Sequence, residues 1–314
     1  MRILVTGGGG FVGKHLVDAL SKSRENNITV LDNFSTSLES DFAYLKGRPN
    51  ITLIKWDVTI PYYYECELIF NLACPASPIQ YQKNPVETSR TNFLGTMHAL
   101  ELARKNNAVM VQASTSEVYG DPKFSPQNET YWGNVNPIGI RSCYDEGKRV
   151  AETLCFDFHR EYKTLIKVAR IFNTYGPGMA FDDGRVVSNF IIQSLANKDI
   201  SIYGRGEQTR SFCYVEDTVS ALISLASTSP EFTGPVNIGN PKEITIITLA
   251  EEIVRLTESK SKLTYHPLPA DDPIQRKPDI SLASRVLRWT PKTELENGLQ
   301  STISNFLTRL AESN

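Results

Sequence analysis

Short apolar runs recur along the first half of the chain, at Arg2–Val5, Ile28–Leu31, Ile51–Ile54, Leu68–Leu72, Ala108–Gln112 and Leu165–Ala169. Between several of them lie longer stretches with apolar residues at helical spacing, notably Val86–Lys105 and Cys143–Tyr162. Continuous apolar runs suit strands buried on both faces, and their alternation with helices predicts a doubly wound parallel α/β sheet. Such sheets gather ligands at the carboxyl ends of their strands. From about Tyr175-Gly176-Pro177 the pattern loosens into loops, a short strand at Ile200–Tyr203, and helices at Val186–Asn197, Val215–Ser227, Thr248–Glu258 and Leu295–Leu310. We read residues 1–175 as one domain and 176–314 mainly as a smaller C-terminal substrate-binding lobe, with the helix near Asp217 packing back on the first domain.

Composition narrows this picture by exclusion. The 314 residues carry 33 Lys and Arg against 35 Asp and Glu, with the basic residues scattered, so electrostatics give no reason to expect a nucleic-acid or membrane partner. No run approaches the ~18 apolar residues of a membrane helix. The first strand begins at Arg2, which leaves no room for a signal peptide, so a soluble, cytoplasmic protein is expected. Cys66, Cys74, Cys143, Cys155 and Cys213 contain no CxxC pair and are odd in number, which suits a reducing compartment and thiols used for packing. No metal site is expected.

Directly after the first strand comes Thr6-Gly7-Gly8-Gly9-Gly10-Phe11-Val12-Gly13, leading into a helical pattern. In a dinucleotide-binding fold Gly7 permits the tight turn, Gly10 lets the backbone approach a pyrophosphate, and Gly13 lets the helix pack on the strand. The second strand ends at Asp32, about ~20 residues on, where a carboxylate can bind the adenosine ribose and repel a 2′-phosphate. The first domain is therefore read as Rossmann-type, with NAD as its cofactor.

The fifth strand runs into Ser114-Thr115-Ser116-Glu117, which puts hydroxyls and a carboxylate at the ligand-binding edge. Tyr144 and Lys148 follow, spaced i, i+4 and so on one face of a helix. An adjacent ammonium stabilises a phenolate, which fits Tyr144 to take a proton from an alcohol while Thr115 orients the substrate.

These motifs, with Leu72-Ala73-Cys74-Pro75-Ala76-Ser77-Pro78, Arg141–Thr153, Ala169–Pro177, Asp182–Phe190, Gln208–Val215 and Leu268–Asp279, resemble the extended short-chain dehydrogenase/reductase family and, within it, the UDP-glucuronate decarboxylases. The resemblance spans nearly the whole chain. It implies NAD contacts from Gly7, Gly10, Phe11, Val12, Gly13, Asp32, Asn33, Ser35, Thr36, Asp57 and Val58. Near the nicotinamide it implies Leu72, Cys74, Thr91, Ala113, Tyr144, Lys148 and Thr174, with a further contact from Arg185. The UDP-sugar would meet Pro75, Ala76, Arg90, Asn173, Asn189, Tyr203 and Arg210. Thr115, Ser116, Glu117, Tyr144, Lys148 and Arg276 would form the catalytic set, Glu117 and Arg276 serving decarboxylation.

The implied reaction turns UDP-glucuronate into UDP-xylose, with a homodimer formed through a four-helix bundle. Sister activities share the machinery: an oxidative decarboxylase releasing a 4-keto pentose, a 4-epimerase, and a 4,6-dehydratase, which usually carries Asp-Glu where this chain has Ser116-Glu117. A non-catalytic NAD-binding scaffold is the alternative of a different class, disfavoured because Tyr144 and Lys148 both stand in an intact run. Departures from the family pattern are Gly9 for alanine, Lys14 for serine, Arg90 for lysine and Gly178 for arginine.

Overall fold

The apolar runs form a seven-stranded parallel sheet in the order Val236–Ile238, Ile166–Ile171, Val109–Thr115, Leu68–Asn71, Arg2–Thr6, Asn27–Asp32, Ile51–Lys55. This is a Rossmann-type sheet, seen in a computed structural model that describes residues 1–267 and 275–312. The order reverses between Arg2–Thr6 and Leu68–Asn71, so the strand ends diverge there and open a crevice. Below the crevice Thr6 Oγ1 donates to Asn71 Oδ1 (2.6 Å), and Asn71 Nδ2 donates to Gln112 Oε1 (2.7 Å). These bonds satisfy buried polar groups and tie three strands together at the level of the site.

Three elements depart from the sequence pattern. The fifth strand continues to Thr115, because Ser114 and Thr115 pair in register with Arg170 and Ile171 and are buried despite being polar. The helix expected over Val86–Lys105 is divided into Pro85–Arg90, a π-type turn at Thr91–Gly95, and Thr96–Asn106. The edge strand Val236–Ile238 has only three residues, too few for periodicity to reveal.

Besides a cluster on the sheet around Leu4, Ile69, Leu100, Met110 and Val168, two cores draw on the second half of the chain. One lies on the sheet and includes Val5, Leu16, Val30, Val111 and Ala169, joined from the second half by Val215, Leu222, Ile238, Ala283 and Trp289. The other holds Tyr175, Phe190, Ile191, Ile202, Leu249, Ile253, Leu299 and Phe306. The chain thus crosses back to the first core through the helix Val215–Ala226, the strand Val236–Ile238 and the helix Ser281–Leu287. No helix among the described residues is long and apolar enough to cross a membrane.

Candidate active site

A cavity of about 890 Å³ opens at the carboxyl ends of the strands and runs from the glycine turn to the second core. At its first end Gly7 has φ +69°, and a Cβ there would lie 2.6 Å from the Ala73 amide nitrogen. A Cβ at Gly13 would lie 2.3 Å from the Gly7 carbonyl oxygen, so the turn closes on its own helix only with glycine in both places. The helix Phe11–Ser21 has no side-chain cap and no acid in its first turn, leaving its amides directed at the cavity.

Asp32 accepts hydrogen bonds from the amides of Gly9 and Phe34, both at 2.8 Å, yet burial still pushes its carboxyl above the ordinary range. Asn33 Nδ2 donates to Asp57 Oδ2 at 3.3 Å. Phe11, Val12, Ser35, Thr36, Val58, Leu72, Cys74, Thr91, Ala113, Thr174 and Arg185 line the same cavity. Burial raises the pKa of both the Cys74 and the Cys143 thiol, which keeps them protonated and poor nucleophiles.

Midway along the cavity the helix Ser142–Tyr162 places Tyr144 and Lys148 on the wall. Lys148 Nζ donates to the Ala113 carbonyl (2.9 Å) and lies 5.8 Å from the centroid of the Tyr144 ring. The Thr115 hydroxyl hydrogen-bonds Tyr144, whose ring stacks on Tyr81 with centroids 4.9 Å apart. Burial drives the phenol pKa far up, and the bond to Thr115 only partly offsets it. A phenolate here therefore depends on nearby positive charge. Ser114 is turned away, donating to Glu152 Oε1, which is paired with Arg170. Ser116 is buried and lines the cavity.

Glu117 Oε2 accepts from Arg141 Nη2 at 2.9 Å and Arg276 Nη2 at 2.8 Å. Burial works against its ionisation, but the Arg276 and Arg141 guanidinia prevail and hold the carboxyl below the usual range. Arg276 also donates to Asn173 Oδ1 (3.4 Å). Read as sequence, Arg276 falls in a polar loop. In the structure it is buried on the short strand Gln275–Arg276, which pairs with Thr209–Ser211. Ser211 Oγ donates to the Arg276 carbonyl, and the Lys277 amide donates to Gln127 Oε1 (2.8 Å), fixing the segment from both sides. The start of that loop, Asp271-Asp272-Pro273, lies outside the described residues.

Pro75, Ala76, Asn173, Asn189, Tyr203 and Arg210 line the cavity beyond Tyr144. Arg90 does not. It pairs with Glu87 (3.1 Å), which does line the cavity, and more than half of its side chain is exposed. The sequence reading missed Arg141, the second partner of Glu117, and Tyr81, the platform under Tyr144. Arg141 stands just before Tyr144, but a cation so placed is usually solvated; Tyr81 carries no local signal.

The profile of the NAD dependent epimerase/dehydratase family matches residues 3–239. The chain belongs to that family. UDP-glucuronic acid decarboxylase 6 of Arabidopsis thaliana is 53% identical over 310 residues, covering 99% of this chain and 90% of that protein. UDP-glucuronic acid decarboxylase 1 of Danio rerio is 49% identical over 305 residues, 97% of this chain and 72% of that protein. The structure of UDP-glucuronic acid 4-epimerase from Bacillus cereus in complex with UDP-glucuronic acid and NAD superposes with a TM-score of 0.87 at 25% identity, covering 98% of this chain and 100% of that one.

NAD is the cofactor of this family, and the residues present fit it. The first turn of Phe11–Ser21 has free amides, and a Cβ on Gly10 would meet protein only at the Gly7 carbonyl, so its other side faces the cavity where a pyrophosphate must approach. Asp32 stands at the ribose position.

Proposed function

We propose that the protein converts UDP-glucuronate to UDP-xylose and carbon dioxide. The observation that carries this reading is the buried Arg276–Glu117–Arg141 cluster on the same cavity wall as Tyr144 and Thr115. Relatives named for decarboxylation of UDP-glucuronic acid, about half identical over nearly the whole chain, support it.

Bound NAD supplies the acceptor for the C4 hydride and returns it at the end. Tyr144 takes the proton of the C4 hydroxyl, with Lys148 supplying the charge its buried phenolate needs and Thr115 orienting the alcohol. The product is a ketone β to the C6 carboxylate, so carbon dioxide leaves with its bonding electrons delocalised onto the C4 oxygen. Tyr144 and Thr115 already hold that oxygen and donate to it as negative charge builds. Arg276 offers the sugar carboxylate a planar guanidinium fork, while Glu117, locked between two guanidinia, holds that fork in place. After protonation of C5, Tyr144 returns its proton as C4 is reduced.

A 4-epimerase uses the same tyrosine and lysine but must let its ketone turn over, and one acting on UDP-glucuronate must hold the C6 carboxylate so that it does not leave, so the products decide between the two. The test is to incubate the purified protein with UDP-glucuronate and NAD, following carbon dioxide, absorbance of NADH and sugar-nucleotide products together. Carbon dioxide with UDP-xylose and no lasting NADH supports the reading. Stoichiometric NADH with a 4-keto pentose would replace it with the oxidative variant, and UDP-galacturonate without carbon dioxide with an epimerase.

The wider reading is of a cytoplasmic homodimer with no nucleic-acid or membrane partner. Near-neutral charge and five free thiols support the first part. For the dimer, Phe93 is exposed and Met97, Leu154 and Phe158 are half-buried along the helices expected to pair, whereas Leu100 is core. A monomeric mass by light scattering at micromolar concentration would remove the dimer.

A further inference from the structure

The helix Phe11–Ser21 carries a cation that the reaction above does not use. Lys14 lies one turn beyond the glycine turn, its amide bonded to the Gly10 carbonyl at 2.9 Å. Its side chain is 7% exposed and borders the cavity beside Gly10 and Gly13. Side chains on a helix lean toward its N-terminus, which here is the phosphate end of the cavity. Asp41 Oδ2 is 3.4 Å from the ammonium, and the same oxygen lies 4.0 Å from Arg309 Nη2. One carboxylate thus faces two cations. Burial lowers the Lys14 pKa more than Asp41 raises it, as expected of an ammonium short of negative charge.

Opposite Lys14 stands Gly178, where φ is +81° and a Cβ would lie 3.8 Å from His15 Nε2 and 4.0 Å from the Lys14 ammonium. His15 Nε2 lies 2.8 Å from the Pro177 carbonyl and holds this loop against the helix. A side chain on residue 178 would therefore enter the space that Lys14 fills from the opposite wall.

We propose that Lys14 is the cation that neutralises the cofactor pyrophosphate, with Asp41 as the anchor that keeps the ammonium at the helix N-terminus. The proposal rests on NAD as the cofactor. A dinucleotide brings two negative charges to this end of the cavity, and the amides of one helix supply only about half a unit of positive charge. Lys14 makes up part of the difference, beside Arg185, which lines the same cavity over the Phe11 ring.

The test compares NAD, ADP-ribose and adenosine by calorimetry and measures NAD retained through purification. Lys14→Met should weaken NAD and ADP-ribose by roughly 10- to 100-fold, the scale of one charge-assisted bond, and leave adenosine unchanged. Gly178→Arg added to Lys14→Met should recover most of the loss, because it returns a cation to the same space. Asp41→Asn should weaken NAD far less than Lys14→Met, because the ammonium stays and loses only its anchor. If Lys14→Met and Asp41→Asn weaken NAD alike, or if Lys14→Met lowers only the melting temperature, Lys14 is a structural ion pair and the proposal fails. Equal loss of adenosine would also overturn it. Native protein that binds no NAD at all would remove the cofactor assignment itself.

Discussion

Arg276 and Glu117 stand 159 residues apart in the chain and share a 2.8 Å hydrogen bond inside the cavity, guanidinium to carboxylate. Arg141 holds the same carboxylate oxygen from the other side, and all three side chains are nearly buried. Such a cluster is rigid, because each charge needs the others to remain ionised out of water. It fixes the Arg276 guanidinium in the cavity without leaving it to sample rotamers in a loop.

Arg276→Ala should abolish carbon dioxide release while the protein still binds NAD. It should also cost stability, because removing one member of a buried charge cluster typically costs ~3–5 kcal/mol, here reduced by the remaining Arg141 partner. Arg276→Lys should not restore turnover, since an ammonium keeps the charge but loses the fork. Carbon dioxide evolution and NAD titration on the same preparations check both; normal turnover by Arg276→Ala would remove Arg276 from the mechanism.

Tyr144→Phe should lower kcat by ~10²–10⁴-fold, the usual contribution of a positioned general base, with NAD retained. Lys148→Met should act through pH. Burial raises the phenol pKa, so the ascending limb of kcat/KM, which reports the active phenolate, moves to higher pH when the ammonium is lost. A pH profile that falls in height without moving would argue against that role for Lys148.

Asp145 follows Tyr144 and is buried, with one carboxylate oxygen lacking a hydrogen-bond partner. Burial, reinforced by the Glu117 carboxylate, pushes its pKa up to about 7. The unfolded chain loses this proton near ~4, whereas the folded protein keeps it to about 7, so the group costs stability progressively as pH rises through that window. Asp145→Asn removes the cost. Its melting temperature should exceed that of the native protein by more at pH 8 than at pH 5, and thermal unfolding at the two pH values decides it; an equal shift at both would refute the buried charge.

Gly147 lies between Tyr144 and Lys148 on their helix, and a Cβ there would fall 2.6 Å from Asn92 Nδ2. Asn92 is itself fixed in the π-type turn, where it donates to the Thr88 carbonyl at 3.1 Å. Gly147→Ala should therefore push the catalytic helix off the turn, costing ~1–3 kcal/mol as overpacking does and lowering kcat by displacing Tyr144 and Lys148. Unaltered stability and turnover would mean that Asn92 yields easily.

The sequence by itself determined what short-range periodicity can encode. Alternating apolar runs dictate a parallel sheet, the glycine turn dictates where a dinucleotide meets a helix, and the i, i+4 spacing puts Tyr144 and Lys148 on one face whatever the rest of the chain does. Family resemblance added Glu117 and Arg276 as residues but not as a pair. Tertiary structure decided which distant charges meet. The second half returns twice to the first core, bringing Arg276 to Glu117 on the way, and the helix Leu295–Glu312 of the second core brings Arg309 to Asp41. It also decided local pairing: Arg90, a cation expected to meet a nucleotide, is paired with Glu87 beside the cavity. A local pattern fixes the phase of a helix or strand, whereas contacts across more than a hundred residues depend on how whole elements pack, which no window of sequence contains.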